Sequence, residues 1–490
     1  MSKKVIVVGS GFSGLAAAAS LAKEGLEVVV LEKNATLGGR ARQFTVDGFT
    51  FDMGPSWYWM PEVFDNFFAE FGHKTSDFYQ LDRLSPSYRV YFEDHSHIDI
   101  PSDFEELLAL FEEYEKGAGE KLKGFLAEAE YKYKVGMAEF VWKPSHSVTE
   151  FFDVRIAKSA FKLQMFSSIS KQVRKLFKHP HLIKILEFPV LFLGATPQDT
   201  PALYSLMNYA DLKLGTWYPK GGMYNIVEAM VRVAKEQGVT FLNNKEVLSI
   251  DVDVRGRATA VNTIDDSFAC DSVVASCDYQ HFDQNILEEK YRNYTKKYWD
   301  SRVMAPSSLL FYIGLNKKLP GLKHHTLFFD EDFELHAQEI YSTPKWPSKP
   351  LFYICAPSVS DASVAPEYCE NLFFLVPLAP NLQDSEEERQ RYFDVITKRL
   401  QKMTGFDIRE NIVYQKSYCL DDFKEDYHAY KGNAYGLANT LMQTAFLKPA
   451  LKSKKVKNLF YTGQLTTPGP GVPPSIISGL VVAKEVLKSI

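Results

Sequence analysis

The segment that most restricts the fold is a short β-branched run, Lys4 to Val8, that ends in Gly9-Ser10-Gly11-Phe12-Ser13-Gly14. The run reads as a buried parallel strand. Leu15 to Lys23 is alanine-rich and predicts a helix, with Gly25 as its C-cap. Glu27 to Leu31 is a second β-branched strand, closed by Glu32. Strand, glycine loop, helix and strand in about 30 residues make one βαβ unit. In such a unit Gly9 permits the tight turn, Gly11 lets backbone approach a pyrophosphate, and Gly14 allows close helix–strand packing. The anion sits against the helix N-terminus, where free N–H groups and the helix dipole favour negative charge. Glu32 is placed to accept hydrogen bonds from the ribose of an ADP moiety. A 2′-phosphate beside it would be repelled, which argues against NADP; Lys33 softens that argument slightly. The bland alternative is a glycine turn with a surface glutamate.

Three further motifs follow. Leu37-Gly38-Gly39-Arg40 offers close backbone approach and a cation for a phosphate, against the reading of a plain turn. Phe51-Asp52-Met53-Gly54-Pro55-Ser56-Trp57-Tyr58-Trp59 makes a rigid turn followed by aromatics that either wall a flat apolar ligand or pack the core. Tyr461-Thr462-Gly463-Gln464-Leu465-Thr466-Thr467-Pro468-Gly469-Pro470-Gly471-Val472-Pro473-Pro474-Ser475 precedes a helix and repeats the anion-binding logic at the far end of the chain. Its alternative is a surface loop.

The rest of the chain is read more coarsely. Helical patterns dominate from Glu62 to Lys134, with two amphipathic helices in 105–134 broken at Gly117 and Gly119. Val239–Ile250, Val273–Ser276, Ser307–Gly314, Asn371–Pro377 and Asn458–Thr462 predict strands; 384–403 and Ile476–Leu487 predict helices. Nucleotide-type patterns at both ends and in the middle predict a discontinuous cofactor domain, 1–80, 215–290 and 436–490, with a second domain from 81–214 and 291–435.

At 490 residues, 46% hydrophobic and 24% charged, the composition is that of a soluble globular protein. A net charge of −5 gives no field favouring nucleic acid. The five cysteines (Cys270, Cys277, Cys355, Cys369, Cys419) show no CxxC pair, so neither a disulfide framework nor a metal site is expected, and a reducing cytosol fits. Val5 to Val8 is too short for a signal peptide, and no run reaches the roughly 18 apolar residues of a membrane span. Residues 155–193 alternate Lys and Arg with Ile, Phe, Leu and Met, which suits either a membrane surface or a solvated helix face.

Taken in order, GSGFSGLAAA, LEKNATLGGRA, FTFDMGPS, FPVLFLGATPQDTPALYSLMNYADLKLGTWYPKGGM and NLFYTGQLTTPGPGVPPSIISG resemble the bacterial-type carotenoid (phytoene) desaturase family over essentially the whole chain. The resemblance implies an α/β fold of the flavin amine oxidase/phytoene desaturase superfamily: a Rossmann-like FAD-binding domain, discontinuous, with an α+β substrate domain. It implies FAD as cofactor and a cytoplasmic enzyme peripherally bound to the inner membrane, drawing a C40 polyene from the bilayer. Gly9, Gly11, Gly14, Glu32, Gly39 and Arg40 fall at its ADP and pyrophosphate positions, with Phe12, Ser13 and Lys33 beside them as further cofactor-binding candidates. Gly463 and the Pro468–Pro474 segment, with Gly471, Val472 and Pro473, fall at its flavin-ring positions; Gly54, Pro55, Ser56 and Gln464 are further cofactor-binding candidates, and Val247 lies where related folds offer an amide to adenine. The family commonly has His where this chain has Thr467, so no proton-transfer role is carried over to that position.

A saturated C–C bond has no acidic proton, so desaturation needs hydride transfer to the flavin. No residue marks itself as the base. Trp57, Tyr58, Trp59, Trp217 and Tyr218 are candidate walls of a dry tunnel. Phytoene is the first choice of substrate. A later intermediate desaturated at its 3,4 bond is second, and a polyene isomerase third. A flavin amine oxidase and a non-catalytic isoprenoid-binding protein are the readings outside this chemistry. Electrons would pass on to a quinone or oxygen.

Overall fold

The computed structural model describes residues 2–145 and 167–490. Five strands form an all-parallel sheet in the order Leu459–Tyr461, Ser272–Ala275, Lys4–Val8, Glu27–Leu31, Thr240–Leu242. Its central strands are buried almost throughout, which is why they read as unbroken apolar runs. The helix Phe12–Lys23 begins directly after Gly11, and Ala16 to Ala19 are fully buried. They are small because the last helix, Val472–Leu487, lies against them. A Cβ on its Gly479 would stand 2.2 Å from the Ser13 carbonyl oxygen and 2.9 Å from the Ala16 methyl. The two ends of the chain are thus locked in backbone contact beside the sheet. The last helix starts earlier than the apolar pattern implies, because prolines occupy its first turn, where a missing N–H costs nothing.

A second sheet has seven strands, in the order Ile412–Tyr418, Ser307–Leu315, Glu370–Leu378, Phe352–Cys355, His325–Phe329, Tyr88–Phe92, His97–Ile100. All its ladders are antiparallel except that between His325–Phe329 and Tyr88–Phe92. Tyr88–Phe92, His97–Ile100 and the short Leu81–Arg83 interrupt the region expected to be helical from Glu62 to Lys134. The two helices Phe104–Tyr114 and Ala118–Val135 are present, but the break is at Gly117 (φ +80°), and Gly119 lies inside the second helix. Val239–Ile250 is two strands, Thr240–Leu242 and Ser249–Val252, separated where Asn244 takes φ +55°. All five cysteines are free thiols.

Two carboxylates, the part-buried Asp52 and the buried Asp211, tie segments together. Asp52 accepts from Met223 N at 2.7 Å and Tyr224 N at 3.2 Å, at the start of the helix Tyr224–Glu236. Gly222 has no side chain because a Cβ there would meet Asp52 Oδ2 at 2.9 Å. Asp211 accepts from Tyr88 Oη at 2.8 Å, and burial raises its carboxyl to about 7. At Asp211 the folded protein therefore keeps a proton that the unfolded chain releases, so this group's contribution to stability is greatest below about pH 4 and falls as pH rises from about 4 to 7. The loss amounts to a few kcal/mol on the order-of-magnitude scale of such shifts. Asp211→Asn should flatten the fall in melting temperature between pH 5 and pH 8. An unchanged slope would remove Asp211 as its source.

Candidate functional site

The carboxyl ends of the parallel strands open into one large cavity, the position where open α/β sheets bind ligands. Segments 8–13, 31–34, 38–41, 276–278, 462–465 and 470–475 line one half of it. The two glycine-bearing loops, at opposite ends of the sequence, meet here: a Cβ on Gly463 would lie 3.2 Å from Ser13 Oγ. Gly39, at φ +57°, sits so close to Gly11 that a Cβ would be 3.2 Å from its Cα. Every residue nominated from the sequence for cofactor binding lines this cavity except Gly14. Gly14 is instead the packing glycine, since a Cβ there would stand 2.2 Å from the Gly9 carbonyl oxygen.

Glu32 is buried and ordered. Its Oε2 accepts from Ser10 N at 2.9 Å and Ser10 Oγ at 2.6 Å, and its Oε1 from Asn34 N at 2.9 Å and Asn34 Nδ2 at 3.1 Å. Asn34 Nδ2 has a second acceptor, the Asp426 carbonyl at 3.2 Å, so it can release Oε1 to a ligand hydroxyl. Arg40 is the cation of this half. Burial lowers its basicity, Asp278 opposes that, and its Nε has no hydrogen-bond partner. Neither the helix Phe12–Lys23 nor Val472–Leu487 carries an acidic residue in its first turn. A part-buried cation whose buried Nε is a spare donor, two helix N-termini and close-approach glycines fit the diphosphate of FAD. Sequence reasoning missed Asp278, His281, Asp426, Tyr427 and His428, which also line the cavity. Asp278 could have been found, because it follows a strand of the parallel sheet.

Beyond Gly54–Ser56 the cavity becomes apolar. Its wall is the inner face of the second sheet, with Leu310, Leu327, Phe329 and Phe373, faced by the helix Phe333–Tyr341 and by Phe188. Trp57 and Trp59 belong to this wall; Tyr58, Trp217 and Tyr218 do not line the cavity. Tyr58 is fully buried against Phe64 and Tyr79, and Trp217 pairs with Arg83 in a two-stranded ladder. Thr467 also lies off the cavity lining, buried with its hydroxyl unpartnered.

A parallel sheet whose carboxyl ends carry two converging glycine loops, opening into an apolar chamber under a second sheet, defines a dinucleotide-dependent oxidoreductase. The chain belongs to the flavin-containing amine oxidoreductase family, whose model matches residues 12–487, and FAD is its cofactor. It is 42% identical to the carotenoid 3,4-desaturase of Haloarcula japonica, over 99% of this chain and 98% of that one. It is 30% identical to the zeta-carotene-forming phytoene desaturase of Myxococcus xanthus, over 99% and 94%. In fold it matches cyclohexylamine oxidase from Brevibacterium oxydans, with a TM-score of 0.60 and 14% identity over 100% and 99% of the two chains.

Proposed function

We propose that this protein is an FAD-dependent carotenoid desaturase that introduces C=C bonds into a C40 polyene. The observation that carries this reading is the continuity of the cavity from dinucleotide-type loops into a chamber walled by aromatic and aliphatic side chains. Bound FAD supplies the acceptor for a hydride. Gly9 to Ser13, Gly39 and Arg40 would hold its diphosphate, Glu32 and Lys33 would flank its ribose, and Val247 would offer its amide to adenine. Gly54 to Ser56, Gly463, Gln464 and Gly471 to Pro473 would surround its ring. The cofactor half is built from 1–80, 215–290 and 436–490, and the substrate half from 81–214 and 291–435. The apolar wall excludes water and aligns the chain of the polyene.

The relative at 42% identity favours the 3,4 bond of an already extended polyene over phytoene, whose desaturases stand at 30%. Expression in two otherwise colourless or simply pigmented bacteria decides, one accumulating phytoene and one accumulating a hydroxylated polyene. Pigment chromatography then reads which precursor gains double bonds. If both precursors persist while the purified holoprotein oxidises amines, the desaturase reading fails.

The substrate comes from the bilayer, and the protein works at the membrane surface on the cytoplasmic side, passing electrons to a quinone or oxygen. No helix among the described residues is long and apolar enough to cross a membrane. Part of the basic stretch, 155–166, lies outside the described residues. Of the remainder, Arg174 pairs with Glu187 at 3.0 Å and Lys184 with Glu93 at 2.9 Å, while Lys171, Lys175 and Lys178 are exposed. Binding to anionic vesicles is expected at low salt and should weaken as salt screens it. Equal partitioning at low and high salt would refute an electrostatic contact.

A further inference from the structure

Where the cofactor half of the cavity meets the apolar half, its wall carries Ser56, Trp57 and Tyr353. Tyr353 Oη lies 3.0 Å from Ser56 Oγ and 2.6 Å from Nδ1 of His325, and its single proton can turn to either acceptor; turned to His325 it faces a bare Nδ1. His325 is fully buried and off the cavity, one layer behind Tyr353. Its Nε2 has no hydrogen-bond partner. Its ring stacks on Trp57, with centroids 4.2 Å apart and planes 9° apart. The other titratable groups around it are His324, whose ring centroid is 4.5 Å away, and the thiol of Cys355; the donor atoms of these three residues all lie within 4.8 Å of one another. Both His324 and Cys355 are buried, and burial holds the two imidazoles neutral and the thiol protonated.

We propose that Tyr353 and His325 form the proton-accepting relay of the desaturation, with Tyr353 the catalytic group at the cavity wall and His325 acting through it. The inference rests on the desaturase reading. Desaturation removes a hydride from one carbon and a proton from its neighbour. The electron pair leaves with the hydride, for which the bound cofactor is the acceptor, and a delocalised cation remains on the polyene. The electrons of the neighbouring C–H bond then form the new π bond. The proton of that bond passes to Tyr353 Oη while the phenol proton passes to Nδ1 of His325, which carries its own ring proton on Nε2. Tyr353 ends neutral and His325 ends as an imidazolium, stabilised by the π face of Trp57. A carbon acid as strong as a polyenyl cation needs no strong base, so an imidazole whose basicity burial has lowered suffices. After product leaves, the proton returns through Tyr353 and Ser56 to the cavity. The sequence gives no hint of this, because the two residues lie on neighbouring strands far apart in the chain.

Three measurements on the FAD-loaded protein test it. Nitrogen NMR of ¹⁵N-histidine-labelled wild type should show His325 protonated at Nε2 and bare at Nδ1; the opposite tautomer overturns the relay. Tyr353→Phe and His325→Gln should keep FAD content and polyene binding, read by absorbance, while single-turnover desaturation slows roughly 10²-fold or more, the scale of general-base catalysis. A solvent deuterium isotope effect present in wild type should vanish in Tyr353→Phe. Rates within about threefold of wild type in both loaded variants, well below the general-base range, overturn the relay and leave the desaturase reading standing. If wild type itself leaves every polyene unchanged, the desaturase reading falls and takes the relay with it. Should Tyr353→Phe fail to fold, the wild-type tautomer and isotope effect still decide.

Discussion

Gly11→Ala should yield a folded, colourless protein. Gly11 has φ −65°, and a Cβ there meets nothing within 4 Å. The methyl group projects into the cavity where the diphosphate is proposed to lie. Losing two amide-to-phosphate contacts at about 1.5 kcal/mol each weakens FAD binding roughly 100-fold. Gly14→Ala makes the contrast. Its Cβ would stand 2.2 Å from the Gly9 carbonyl oxygen and 2.8 Å from Ser276 Oγ, so backbone must shift. Overpacking of that kind costs about 1–3 kcal/mol or more, and the melting temperature should drop even without cofactor. Flavin titration and thermal melts of the two apoproteins separate the roles. Equal melting temperatures, or full FAD affinity in Gly11→Ala, would contradict the assignment.

Glu32→Gln should cost nearly as much affinity with less disturbance. The carboxylate accepts from two backbone N–H groups, of Ser10 and Asn34, one on each oxygen. An amide in its place turns one donor toward a donor, whichever way it faces. With the ribose contact also lost, at about 1.5–3 kcal/mol for a charged acceptor, FAD should bind on the order of 10–100-fold more weakly. The loss should be relieved by neither higher salt nor NADP. A variant that binds FAD as wild type does would place the ribose elsewhere.

The N-terminal unit was legible almost to the residue, because a strand buried on both faces must be a continuous β-branched run and a close-packed helix must be small-residue-rich. The convergence of the two glycine loops was legible as an expectation for the same reason: each follows a strand and opens a helix. What escaped was information carried by partners distant in sequence. Tyr88–Phe92 and His97–Ile100 are short strands at one edge of the second sheet, where the apolar pattern is broken by Arg89 and Asp99, which pair with each other. Asp52 sits inside a motif that looked ligand-facing, yet it serves the start of a helix from the middle of the chain. Trp217 and Tyr218 are aromatic and lie between Gly215 and Gly221, as a tunnel wall could, but their ladder with Leu81–Arg83 turns them from the cavity. Trp57 and Trp59 were chosen on the same grounds and do line it. Composition could not tell these pairs apart, because only the sheet register decides which face of a strand meets the cavity.

The central claim is that a single extended flavin nucleotide bridges the loops at Gly9–Gly14 and Gly463–Pro473 and points its ring into the apolar chamber. A crystal structure of the protein with FAD tests this most directly. The account predicts the diphosphate at the start of the helix Phe12–Lys23 beside Arg40, and the ring against the loop that opens Val472–Leu487. FAD bound with its diphosphate away from Gly11, or with its ring outside the chamber lined by Trp57 and Phe329, would contradict it.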